Sequence, residues 1–357
     1  MSELIMYIMA FGALLGGLDQ ILGNRFGLGK KFEDGFHLLG PTALSMVGII
    51  CLVPLLSQGI QLLLVPLYQR IGLDPGTLGG ILAIDMGGYQ LSKSLAGSQN
   101  IGLYSSIFVS ATFGCTISFT IPVGMGMVKE KDKPVFAKGI LIGLATMPVA
   151  LLVGGLFSGL SFITLLIQSS PIFLFSILLG IGIIKYQELS IKLFTIFSRG
   201  IQIISTIGIA LGAFQYMSGI NLLLGLGSIE EAMKVVSSIG IVMLGSLPIA
   251  HILQLLLKKP LEWIGKQTKM NSASVTGILV SMVSAVALIS MIQDMDERGK
   301  IINAAYLVSA TALLAAHLGF TFGVEPSMVM PLCVAKFLGG FTSILAGYYL
   351  SRGESCE

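Results

Sequence analysis

Apolar stretches of about 20 residues, the length that crosses the hydrocarbon core of a bilayer, alternate along this chain with short polar connections. No polar stretch is long enough to fold by itself. The pattern predicts spans near Leu4 to Leu22, Leu38 to Leu56, Tyr104 to Val128, Ala137 to Phe157 and Ile163 to Ile184. Further spans are predicted near Phe194 to Tyr216, Val235 to Leu257, Ile302 to Phe322 and Met328 to Leu350. The first run has no basic n-region and no small-residue cleavage site, so it reads as a span rather than a removable signal. Two more apolar segments, Thr77 to Leu95 and Val275 to Ile292, stand apart. The first is broken by Gly79-Gly80 and Gly87-Gly88, and glycine's permissive backbone suits a broken helix that lines a cavity.

Short matches recur in order at a separation of roughly two hundred residues, the mark of an internal repeat. Pro54 matches Pro248, Gln61-Leu62-Leu63-Leu64 matches Gln254-Leu255-Leu256-Leu257, and Pro66-Leu67 matches Pro260-Leu261. Ile71-Gly72 with Ile264-Gly265, and Gly80-Ile81-Leu82 with Gly277-Ile278-Leu279, continue the series. Val109-Ser110-Ala111-Thr112 with Val308-Ser309-Ala310-Thr311, and Ala137-Lys138 with Ala335-Lys336, complete it. Because the matches include Pro, Gln and Lys, chance likeness between apolar segments explains them poorly. Repeated halves that hold substrate near the midplane, where discontinuous helices meet, are a common transporter plan.

Charge then constrains topology, since short cytoplasmic loops collect Lys and Arg. The basic loops around Lys30, Lys129 to Lys138, Lys185, Lys258 to Lys269, Arg298 and Arg352 share one side only if Thr77 to Leu95 and Val275 to Ile292 are re-entrant. That arrangement inverts the two repeats. The expected fold is therefore an all-α polytopic membrane protein with about 9 to 11 transmembrane segments, in two inverted repeats with two re-entrant or broken helices. One transport domain is expected over residues 1–357: repeat one over about 34–160, linking spans over about 161–230, and repeat two over about 231–351. Composition agrees, with 54% hydrophobic and 11% charged residues, against roughly 25% charged in soluble domains.

Cys51, Cys115, Cys333 and Cys356 lack metal-type spacing. The net charge of +3 is ordinary for basic cytoplasmic loops, and no basic-aromatic patch points to nucleic acid. The chain has no paired-His zinc motif, phosphate-cradling Gly-rich loop or Gly-x-Ser-x-Gly elbow. An enzyme is therefore not expected, nor are a metal or cofactor, and a membrane enzyme stays a distant alternative.

Asp85 is the first candidate for chemistry. In apolar surroundings a carboxylate must face a partner, water or a passing cation, and it can accept an ammonium group or take up a proton. Gly87 and Gly88 flank it, and Lys93 or Lys336 could pair with it instead. Thr116, Ser118 and Thr120 could bind a substrate alcohol, although bonding back to their own helix is common in membranes. His317, at the related place in the second half, could line the path or relay protons. For His37 and His251 an interfacial position is the default. Glu33 and Asp34 are expected to open the second span, where acids favour a helix N-terminus.

At these residues the chain resembles the EutH family, the ethanolamine permeases encoded with ethanolamine-utilisation operons. The likeness runs through Ile5-Met6-Tyr7-Ile8-Met9, Phe32-Glu33-Asp34-Gly35-Phe36, Asp85-Met86-Gly87-Gly88 and Leu95-Ala96-Gly97. It continues through Ile121-Pro122-Val123, Met295 to Asn303, His317-Leu318-Gly319-Phe320 and Lys336. The resemblance implies a multi-pass protein of the bacterial cytoplasmic membrane that admits protonated ethanolamine, with the lipid bilayer and a small amine as its partners. Asp85 then fits as counter-ion, and Ser118 or Thr120 as partners for the hydroxyl. Where the family carries an Asn pair, a Pro and an Asp before the histidine, this chain has Ser284, Ala285, Ala287 and Ala316. A proton- or ion-coupled carrier of another small amine is therefore the alternative, and a homo-oligomer is left open.

Overall fold

The computed structural model of the protein describes residues 2–82 and 88–351. In chain order come α1 (Ser2–Ile21), α2 (Leu28–His37), α3 (Leu39–Leu63), α4 (Val65–Arg70), α5 (Gly76–Leu82) and α6 (Gly88–Leu95). After α7 (Gln99–Leu103), two π-helical stretches, Tyr104–Gly114 and Thr116–Thr120, run into α8 (Ile121–Met127). Then follow α9 (Lys133–Phe157), α10 (Phe162–Lys185), α11 (Gln187–Ser218) and α12 (Ile229–Thr268). The chain finishes with α13 (Ser272–Ser281), α14 (Ala285–Met291), α15 (Glu297–Ala310), α16 (Ala316–Val324) and α17 (Val329–Leu350). No strand occurs among the described residues. Helices meet the demand that lipid makes, because they satisfy every backbone group within the segment.

Among the described residues, 8 helical stretches are long and apolar enough to cross a bilayer, so the protein is an all-α polytopic membrane protein. The segment Ile302 to Phe322, expected as a single span, is instead two helices. α15 stops at Ala310 and α16 begins at Ala316. The cause is tertiary. Ala312 sits at φ 53°, its N–H donates to the Ser281 carbonyl at 2.9 Å, and the Leu314 N–H donates to Met282 at 2.8 Å. Hydrogen bonds to the end of α13 thus replace bonds that an Ala- and Leu-rich segment would otherwise make within its own helix.

The chain divides into two compact units, one comprising Met1–Leu38, Val123–Ala150 and Ser238–Glu357, the other Leu39–Pro122 and Leu151–Ser237. In the second, α3 packs closely on α11, and Ser205 Oγ donates to the Leu44 carbonyl at 2.9 Å. α5 and α6 form an antiparallel hairpin, for Gly76 abuts Ala96 and Gly79 abuts Ser92. The first π-helical stretch holds it, since the Gly80 N–H donates to Ser105 Oγ at 3.1 Å and Ser92 Oγ lies 3.1 Å from the same oxygen.

In the first unit α13 and α14 form a second antiparallel hairpin. Gly277 faces Leu288, and Asn271 Nδ2 donates to the Asp294 carbonyl at 2.9 Å. α13, of 10 residues, and α14, of 7, are each too short to cross the hydrocarbon core. Glu33 and Asp34 lie in the leading part of the helical stretch Leu28–Leu63, in α2, but past its first turn. Gly27 at φ 75° restarts the chain there. The buried Asp19 carboxylate takes the N–H groups of Phe26, Leu28 and Gly29 at 3.0, 2.8 and 2.9 Å, so the acid that serves the helix start is Asp19.

Candidate functional site

The interruption between α15 and α16 exposes the Thr311 carbonyl to the interior of its unit, and two side chains converge on it. Lys336 Nζ donates to it at 2.9 Å, and His317 Nδ1 lies 3.0 Å away. A carbonyl oxygen only accepts, so Nδ1 carries the proton. Lys336 is 0% and His317 1% exposed. Carbonyls freed where a span unwinds hold Na⁺ or a proton in many transporters, and the end of α15 adds partial negative charge. In this chain the Lys336 ammonium occupies such a place.

The α13–α14 tip meets the same interruption. Ser281 and Met282 supply the acceptors for Ala312 and Leu314, and Ser284 Oγ accepts from the Ala287 N–H at 3.2 Å, capping α14. Asn and Ser serve equally well in that position, so Ser284 keeps the local service that an Asn would give. Asn303, fully buried, fastens α13 to α15 by donating to the Ser274 and Gly299 carbonyls at 2.8 and 2.9 Å.

The remaining predicted residues belong to the other unit. Asp85 and Gly87 lie outside the described residues, and Gly88 is buried at the start of α6. Thr116 and Ser118 donate to the carbonyls of Thr112 and Gly114, each at 2.7 Å. Thr120 Oγ1 is buried with no hydrogen-bond partner among the described residues. All three sit on the second π-helical stretch, and π geometry frequently marks functional positions. Lys93 is exposed; its Nζ donates to Tyr89 Oη at 2.9 Å and lies 5.0 Å from the ring centroid. Lys93 and Lys336 are therefore unlike, the first at the surface and the second in the interior.

Sequence reading missed two features. The Thr311 carbonyl carries no sequence signal, because Ala310 to Ala316 reads as good helix. The buried pair Lys300 Nζ to Asp132 Oδ1, at 2.7 Å, joins residues far apart in the chain, and reading the segment around Arg298 as a basic loop hid it. No cluster of three His, Cys, Asp or Glu side chains suited to a metal occurs among the described residues.

Comparison with known proteins agrees over nearly the whole chain. The profile described as "Ethanolamine utilisation protein, EutH" matches residues 1–350. The chain is 39% identical over 352 residues to the "Probable ethanolamine permease EutH" of Listeria monocytogenes, covering 98% of this chain and 94% of that one. It is 36% identical over 361 residues to the "Uncharacterized protein YxeR" of Bacillus subtilis, covering 100% and 96%. It is 33% identical over 382 residues to the "Probable ethanolamine permease EutH" of Escherichia coli, covering 96% and 94%. No solved structure matches. The chain belongs to the EutH family.

Proposed function

We propose that this protein is a permease admitting protonated ethanolamine across the bacterial cytoplasmic membrane, a transporter rather than an enzyme. The observation that carries this reading is the pairing of each helical hairpin with an irregular stretch: α5–α6 with the π-helical stretch, and α13–α14 with the interruption at Thr311. Irregular backbone at membrane depth is tolerated where it lines a cavity or is buried in protein, and transporters place their sites there. The names of the relatives supply the substrate.

Asp85 is the counter-ion in this reading. In the sequence it stands between α5 and Gly88, and a carboxylate offers two acceptor oxygens to a three-donor ammonium. Thr120, a buried hydroxyl without a partner among the described residues, is the better candidate for the substrate alcohol than Thr116 or Ser118, whose protons are already engaged.

The test is uptake of labelled ethanolamine into proteoliposomes at mildly acidic pH, where little neutral amine diffuses through lipid, with Asp85→Asn beside the wild type. Saturable uptake that the variant loses supports both parts. Undiminished uptake in the variant removes Asp85 from the site, and absence of protein-dependent uptake removes ethanolamine.

A further inference from the structure

α2 is a charged helix packed on apolar ones. Gly27 at its start lies against His251, and a Cβ on Gly35 near its end would sit 2.7 Å from the Met243 carbonyl oxygen. Met243 is at the middle of the 29-residue apolar stretch Ile229–Leu257. α2 therefore climbs alongside α12 from near one end of a bilayer-crossing stretch to its centre. Gly29, Phe32 and Gly35 turn toward α1 and α12, which leaves Lys30, Lys31, Glu33, Asp34 and His37 on the other side. Charges at that depth require water or a partner rather than lipid.

Of these, Lys31, Asp34 and His37 line a cavity of about 410 Å³ together with His251, Gln254 and Ser284, the last at the tip of the α13–α14 hairpin. A second cavity, of about 690 Å³, shares His251 and Gln254 and follows α13 back to Asn271 at the hairpin base, beside Glu262, Lys266 and Lys269. The two hollows thus flank the hairpin from base to tip.

Lys31 Nζ and Asp34 Oδ2 pair at 2.9 Å, with side chains 40% and 38% exposed. His37 and Glu33 pair at 3.5 Å and are exposed further. Pairs so open to water are weak, and Lys31 offers Asp34 a primary ammonium, the group that a protonated alkylamine carries.

We propose that this cavity is a water-filled vestibule that binds small primary ammonium ions, with Asp34 receiving the incoming ammonium in exchange for that of Lys31. The identity of the amine rests on the transport reading; the vestibule itself does not. The two are separable by experiment. Full-length His37→Cys in proteoliposomes is treated with 2-aminoethyl methanethiosulfonate or its anionic sulfonatoethyl counterpart, and modification is read by mass spectrometry of the peptide holding position 37. Relative to free thiol, the cationic reagent reacts about tenfold faster than the anionic one, because the Asp34 carboxylate in the lining receives its ammonium, and adding Asp34→Asn abolishes the preference. Labelling only by a lipid-soluble maleimide, or equal rates unaffected by Asp34→Asn, overturns the vestibule.

In uptake assays Asp34→Asn raises the KM for ethanolamine about fivefold while Lys31→Met lowers it, the opposite signs following from competition for one carboxylate. Shifts of the same sign in both variants overturn the exchange. Should the wild type fail to take up ethanolamine, the transport reading falls and the labelling still decides the vestibule.

Discussion

The α5–α6 hairpin is closed at its base by Asp74, whose carboxylate accepts from the N–H groups of Gly76 at 2.8 Å and Gly97 at 3.1 Å. In α13–α14 the same place is filled by Asn271, which accepts from the Ser274 N–H at 2.8 Å and donates across to Asp294. Behind the first hairpin stands Ser105, accepting from Gly80; behind the second stands Asn303, donating to Ser274. The plan is shared and the charge is not. The second hairpin has a buried cation beside its tip, Lys336, and a buried ion pair, Lys300 with Asp132, on the helix that follows it. The described part of the first has neutral hydroxyls and glycine contacts, with Lys93 at the surface. The buried site that already holds the Lys336 ammonium is a poor host for a second one, so on the proposed reading the counter-ion is Asp85.

The sharpest way to break this comparison is to remove each lysine. Lys336→Met takes away the ammonium that holds the Thr311 carbonyl, and a hydrogen bond from a charged group is worth about 1.5–3 kcal/mol. Ethanolamine uptake is expected to fall roughly a hundredfold, measured at unchanged protein level. Lys93→Met, at an exposed site, is expected to leave uptake within about twofold. Equal losses from both variants would erase the distinction between a fixed interior cation and a surface one.

The ion pair tests the same contrast through stability. Lys300→Met strands the buried Asp132 carboxylate, and breaking a buried pair on one side costs about 3–5 kcal/mol. A large drop in melting temperature in detergent is expected, and Lys300→Met combined with Asp132→Leu is expected to recover much of it, because no orphan charge remains. A double variant no better than the single would show that the pair does not act as a unit.

Much of this organisation was legible in the apolar pattern, and the places where it was not have physical causes. Run length and the glycine pairs set Thr77 to Leu95 apart, and there Gly76 lies against Ala96 and Gly79 against Ser92, as two antiparallel helices require. Ala310 to Ala316 concealed its break because hydrogen bonds from α13 override a favourable local propensity. Phe32 to Phe36 looked like the opening of a span, since Gly27 and Asp19, which make α2 a helix of its own, act through a turn whose geometry the hydrophobic pattern does not record. At the candidate site, His317 and Lys336 were visible as polar residues in apolar runs. Their shared acceptor was a backbone atom, which has no letter in the sequence.

The mildest test compares the glycines at which each hairpin is closest packed. A Cβ on Gly79 would lie 2.3 Å from the Ser92 backbone nitrogen and 2.5 Å from its Cα. On Gly277 it would meet Asn303 Oδ1 at 2.6 Å, Met295 Cε at 2.6 Å and Leu288 Cδ1 at 2.8 Å. Backbone in a packed hairpin yields only if the two helices separate, whereas the ends of Met and Leu side chains can turn aside. Gly79→Ala is accordingly expected to cost about 2–3 kcal/mol, and Gly277→Ala about 1 kcal/mol. Thermal unfolding of the two variants in the same detergent measures the difference. If Gly277→Ala proves the costlier, then the Asn303 amide, fixed by its bonds to Ser274 and Gly299, resists displacement more than the α5–α6 contact does, and the second hairpin is the more rigid of the two.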